Sequence, residues 1–143
     1  MNTIAKTLIA TTAALLAFAG PGFAFDEDYV DIHGFGNIVE SEAFGRYNRH
    51  ASEQYGDFNE DYSQVEGHGN RRFSYQEGAY NHVDSAIFGD GNTFISAQQG
   101  FGNSVSGTIE GNHNQLEVYQ SGVGGHVSVH MKGSRNRVTI RRD

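Results

Sequence analysis

His126 and His130, four residues apart, are the nearest approach in this chain to a pair of metal ligands. The residues around them read as a strand, which sets the two imidazoles roughly 13 Å apart, too far to share an ion. No metal site or cofactor is expected. The seventeen carboxylates lie mostly at outward places, where they solubilise the chain. A serine nucleophile would need a histidine and a sharp strand-to-helix elbow, and neither context exists. No catalytic residue, enzyme activity or small-molecule substrate is therefore expected. A net charge of −7 argues against nucleic acid as a partner. What remains is the chemistry of side-chain amides. Asparagine and glutamine each donate and accept, so identical amides bond to one another when the fold stacks them.

The sequence supplies that stacking through a repeat. Glycine recurs every eleven residues, at Gly34, Gly45, Gly56, Gly67, Gly78, Gly89, Gly100, Gly111, Gly122 and Gly133. Three residues after each stands asparagine, as Asn37, Asn48, Asn59, Asn70, Asn81, Asn92, Asn103, Asn114 and Asn136, with Gly125 the one exception. Two residues before alternate glycines stand Gln54, Gln76, Gln98 and Gln120, and Ala43, Val65, Ile87, Ile109 and Met131 fill the intervening places. The true unit is thus two glycine periods long, as from Gly34 to Gly56, and has two similar arms. Five such units span residues 34–143. Calcium-binding nonapeptide repeats need an aspartate per turn, where this chain carries asparagine. An ice-binding solenoid needs an outward column of one small hydroxyl residue, but Ala51, Phe73, Ile95, Glu117 and Thr139 are mixed.

Each arm reads as a strand and a turn. Alternate residues of a strand share a face, so Asn92, Phe94, Ser96 and Gln98 point inward together, as do Asn103, Val105, Gly107 and Ile109. Gly-x-x-Asn makes the corner, glycine and asparagine being the residues that best tolerate positive φ. Two strands and two corners per unit predict an all-β chain, a narrow and amyloid-like β-solenoid of five strand-turn-strand-turn coils. Coils stacked about 4.8 Å apart would carry asparagine and glutamine ladders along the axis. Ser41, Ser52, Ser63, Ser74, Ser85 and Ser96 form a further inward column. His50, Asp61 and Arg72 take inward places that later coils give to Phe94, Val105, Leu116, Val127 and Val138. Outside, Phe73, Tyr75, Ile95 and Tyr119 read as an exposed aromatic and apolar face.

Residues 1–24 read as a signal peptide. Lys6 precedes an apolar run from Leu8 to Ala19, too short to span a bilayer, and Gly22-Phe23-Ala24 offers a cleavage site. The division expected is a signal peptide over 1–24, a short N-terminal segment over 25–33 and the repeats over 34–143. The chain has no cysteine, so export implies no disulfide framework.

Asn92-TFISA-Gln98-Gln-Gly100-FG-Asn103 and Asn114-QLEVY-Gln120-Ser-Gly122 resemble the repeat of curlins, the subunits of bacterial curli fibres, with asparagine in place of the opening serine. The resemblance covers nearly all of the chain after residue 24. It implies passage through a dedicated outer-membrane pore, folding outside the cell and nucleated growth of a cell-surface amyloid fibre for adhesion and biofilm matrix. The partners implied are the chain itself and other curlin subunits. Val65, Ile87, Ile109 and Met131 replace the second glutamine of each curlin repeat, and Phe25 to His33 is shorter than the usual targeting segment. The degenerate first coils would be either poorly folded or the targeting segment.

Charge is uneven along the chain. Residues 25–129 hold 16 acids and 4 bases, while residues 130–143 hold Lys132, Arg135, Arg137, Arg141 and Arg142 against Asp143 alone. A basic last repeat resembles the minor, nucleating curlin; equally, it reads as an end strand whose charges blunt its edge. The rival to a fibre subunit is a soluble, secreted solenoid that binds a cell-surface partner without polymerising. Soluble solenoids need polar caps, and the lack of a helix or loop after Arg142 favours the fibre.

Overall fold

Along the inner strands of the repeat the residues alternate between buried and accessible. In β8 (Thr93–Phe101), Phe94, Ser96 and Gln98 are buried while Thr93, Ile95 and Ala97 are only partly covered. A strand with one face dry must lay that face against another sheet, and here the partner sheet is built from the alternate arms of the same chain. The computed structural model describes residues 13–19, as a backbone path only, and residues 27–143.

The protein is an all-β solenoid, with no helix among the described residues. One sheet runs β1 (Ala13–Ala19), β3 (Asn37–Arg46), β5 (Glu60–His68), β7 (His82–Phe88), β9 (Ser104–Asn112), β11 (His126–Ser134). The other runs β2 (Glu27–His33), β4 (Arg49–Asp57), β6 (Arg71–Ala79), β8, β10 (Gln115–Val123), β12 (Arg137–Arg142). All pairings are parallel, and from β2 onward each residue faces its equivalent two glycine periods later, as Leu116 faces Phe94 and Val138. About five such coils stack along the axis.

The charged coils are as regular as the others: β4 pairs with β6 over nine residues, as does β6 with β8. The stretch 25–33, placed before the repeats on sequence grounds, instead contributes β2, which pairs with β4 in phase. Its Val30 and Ile32 are buried on the inward alternation. The period passes over it because Phe23 stands where a preceding glycine would announce the strand. Within the segment read as a signal peptide, Ala13–Ala19 lies beside β3, but Ala13 faces Asn37 where the phase of the repeat would set Phe35. The rest of 1–24 lies outside the described residues.

The interior divides along the axis. An upper apolar cluster joins Val83, Ile87, Phe94, Val105, Ile109, Leu116 and Val118, all fully buried. Gly107 takes the serine place opposite Phe94 because a Cβ there would lie 2.3 Å from the Phe94 ring. Among the described residues a lower cluster holds Val30, Ile32 and Val39. Between the two, the core is charged.

Candidate functional site

The corners establish the stacking. Each first turn glycine has positive φ, as Gly100 at +123°. From Gly34 to Gly111, an added Cβ would lie 1.8–2.0 Å from the carbonyl oxygen of the turn glycine one coil on. Glycine is therefore demanded by the neighbouring coil as well as by φ. The left-handed residue is the one before each asparagine and not the asparagine, which corrects the sequence expectation. Gly36, Gly69, Gly91, Gly102 and Gly124 hold that place, alternating irregularly with Tyr47, Phe58, Tyr80, His113 and Arg135 at φ 55–60°.

Asparagine is freed from the turn to work as a clamp. The Oδ1 of Asn92 accepts from the backbone N–H of Asn114 at 3.0 Å, and its Nδ2 donates upward to Gly111 O at 2.7 Å. The same upward bond to a turn glycine is made by Asn37, Asn48, Asn59, Asn70, Asn81, Asn103 and Asn114. At Gly125 the backbone N–H alone bonds Asn103 Oδ1, at 2.9 Å. A Cβ at Gly125 would sit 2.6 Å from Gln120 Nε2, the end of a flexible side chain, and nothing else in the structure accounts for the break in the series. At the top, Asn136 Nδ2 reaches Asn114 Oδ1 and Lys132 O, and no donor among the described residues reaches its Oδ1.

The glutamines form one ladder. Gln54 Nε2 donates to Gln76 Oε1 (2.7 Å), Gln76 to Gln98 (3.1 Å) and Gln98 to Gln120 (3.4 Å). Each Nε2 also bonds a backbone carbonyl of the opposite sheet, those of Ile38, Glu60 and His82 in turn, so the direction of the ladder is set. Both ends are orphaned. Gln54 Oε1 looks down on apolar Ile32, and Gln120 Nε2 has no partner. Arg142 follows Gln120 in the column and can only donate; it makes the cross-sheet bond itself, Nη1 to His126 O at 2.9 Å. Sequence reading takes Arg142 for a surface charge, whereas its position in the glutamine column signals a ladder end. The serine column carries no continuous ladder: Ser63 bonds Ser41 at 3.1 Å, while Ser74 and Ser96 hydroxyls are buried without partners.

His50, Asp61 and Arg72 meet in the interior. Arg72 grips both oxygens of Asp61 through Nη1 and Nη2, and both side chains are fully buried. Ser52 Oγ donates to Asp61 at 2.5 Å, and Arg72 Nε donates to Ser85 Oγ at 3.0 Å. Arg72 Nη1 lies 2.8 Å from His50 Nε2, which must accept because the guanidinium only donates; Nδ1 therefore carries the ring proton and faces Asp28 at 3.6 Å. Burial pushes the Asp61 carboxyl up, but the charge and hydrogen bonds of Arg72, with the Ser52 hydroxyl, outweigh it and hold the group below its ordinary value.

The basic end strand is engaged with the coil beneath. Lys132 pairs with Glu110 at 3.1 Å, Arg137 Nε donates to Gln115 at 2.9 Å, and Arg141 lies over the Tyr119 ring at 5.4 Å. Phe73, Tyr75, Ile95 and Tyr119 are half-buried. A stacked row of exposed aromatics lies instead on the corner that joins β2 to β3, β4 to β5 and so on. Phe35, Phe58, Tyr80 and Phe101 form a rib there, with neighbouring ring centroids 5.1–5.5 Å apart and Val123 above. The opposite corner carries Arg46, His68, Asp90, Asn112 and Ser134, with Tyr47 the one exposed aromatic there among the described residues. The rib escapes a fixed-period reading because its residues shift between the first and second turn positions.

These features define a β-solenoid whose coils are joined by directional amide and glycine contacts. No family model, curated protein or solved structure matches the chain.

Proposed function

We propose that this protein is a structural subunit of an extracellular, curli-like amyloid fibre for adhesion and biofilm matrix, assembling by end-to-end stacking of its coils. One observation carries the reading. The contact between coils is head to tail and repeats at each step, with Gly125 the one departure, and among the described residues its groups stand unpaired at β11 and β12. Asn136 Oδ1 lacks a donor, and Gly133 has no carbonyl above it, only Asn136 Nδ2 of its own turn at 3.2 Å. A head-to-tail contact that does not close into a ring propagates as a filament. The curlin-like spacing of Asn92 to Asn103 and Asn114 to Gly122 supports the same assignment, with secretion through an outer-membrane pore and other curlin subunits as partners.

Purified residues 25–143 should show a lag and then β-rich fibres that diffract near 4.8 Å and about 10 Å, the lag vanishing when preformed fibres are added. A concentrated sample that stays monomeric for days and does not respond to seeds would overturn the proposal and leave a soluble adhesion module.

A further inference from the structure

The two edges of the β2-to-β12 sheet carry opposite charge. β2 presents Glu27 and Asp31 outward, while β12 presents Arg137 and Arg141, and Asp143 is aligned with Ser121 by a 3.0 Å hydrogen bond. Each pairing from β2 to β12 uses the same repeat step, so the register of a β2 strand added to β12 follows from the phase alone. In that register Arg137 meets Glu27 of the next copy, Arg141 meets Asp31 and Asp143 meets His33. Sliding by two residues either way sets Arg141 opposite His33 or Tyr29, and one of the slides brings Asp143 against Asp31. A one-residue slip turns every side chain to the wrong face. Inside, Ile140 would meet Val30, while Val138 would meet Asp28 and Arg142 would meet Ile32, two pairs that gain nothing.

We infer that β12 of one copy accepts β2 of a second copy in phase, and that the Arg137–Glu27 and Arg141–Asp31 pairs select this register and the polarity of growth. The inference rests on the fibre reading and names its junction. Glu27 is 70% exposed and paired only with Arg49, at 3.2 Å, among the described residues, whereas Asp31 is 17% exposed and already engaged by Tyr55 and His33, so Arg137–Glu27 is the more accessible pair. In the other sheet, β11 of one copy and β3 of the next would flank a slot one strand wide, the place β1 holds on β3 here. Exposed ion pairs are individually weak, but opposed charge patches speed encounter and disfavour wrong registers.

The test is a charge-swap mixing experiment on protein released by secreting cells. R137E with R141E makes both edges acidic, and E27K with D31K makes both basic; E27K alone spares the Asp31–Tyr55 hydrogen bond and guards against misfolding. At low salt each double variant should elongate its own seeds about tenfold more slowly than the unaltered protein. An equimolar mixture of the two should recover the original rate by alternating, and molar salt should erase the differences. Variants that self-elongate within twofold of the unaltered protein, or a mixture no faster than its parts, would overturn the junction while leaving the fibre intact. Failure of the unaltered protein to form fibres would instead overturn the reading beneath it.

Discussion

The coils around β4–β6 and those around β7–β10 share one backbone frame but fill it with opposite chemistry. In the upper coils Phe94 packs against the space left by Gly107, beside Leu116, Val105 and Ile109. In the lower coils the same inward places hold His50, Asp61 and Arg72, joined in a hydrogen-bonded network that leaves only His50 Nδ1 without a hydrogen-bond partner among the described residues. Glycine and asparagine contacts at the corners are the same in both. Coil geometry is therefore set at the corners, and the same frame accepts a charged or an apolar interior. Arg72 ends against Phe94, with its guanidinium 5.9 Å from the ring centroid, where the charged layer gives way to the apolar one.

Asp61→Val should break the comparison most severely. It leaves a buried guanidinium without its carboxylate, at a cost of about 3–5 kcal/mol. Hydrogen exchange should show β4–β6 opening while β8–β10 stay protected. Asp61→Val with Arg72→Leu makes the lower coil like the upper one and should restore protection, since apolar replacement of a buried pair is often neutral or stabilising. If all three variants exchange like the original protein, the pair contributes nothing.

Acid should act on the same pair with smaller effect, because a protonated Asp61 keeps part of its hydrogen bonding. Its folded-state pKa is depressed below the ordinary 3.8, so its contribution is present above that value and is lost as pH falls through the folded value. Exchange measured at falling pH should therefore rise first in β4–β6, the upper interior having no buried carboxylate.

Glycine substitutions should erase the contrast. Gly56→Ala and Gly100→Ala each drive a Cβ to 2.0 Å from the next turn's carbonyl oxygen, and each should cost about 2–3 kcal/mol in thermal or denaturant unfolding. A much smaller cost at Gly56 would show that the lower coils are more loosely stacked.

The glutamine ladder gives the smallest effects. Gln98→Ala breaks a bond on each side and leaves neighbours unsatisfied, about 1–3 kcal/mol. Gln120→Ala should cost less, since its Nε2 already lacks a partner. Gln64, bonded outside to Glu66 at 3.1 Å, should be within about 0.5 kcal/mol of neutral. Fibre growth rates should follow the same order, and equal values at the three positions would contradict the register.

The alternation Asn92, Phe94, Ser96, Gln98 made the strands, their facing and the two-armed coil legible in the sequence, because burial demands period two and stacking demands identity. The corner was legible only in part. Glycine is forced by a carbonyl in the next coil, so it never varies, whereas the left-handed place tolerates Tyr47, Phe58, Tyr80, His113 and Arg135 and leaves no signature. β2 went unread because it lacks its leading glycine. The closure of His50, Asp61, Arg72 and Ser52 into one network depends on side-chain reach across the interior, which periodicity does not encode.

The aromatic corner has a consequence for how the rod sits in a mixed environment. Phe35, Tyr80 and Phe101 are each 52–56% exposed along one edge, while the opposite edge is polar apart from Tyr47. An amphipathic rod of this kind is surface-active: at an air–water boundary it lowers its free energy by turning that edge out of the water. Adsorption would lay every rod flat with the same edge upward, so that a film of the protein would have one wettable side and one that sheds water.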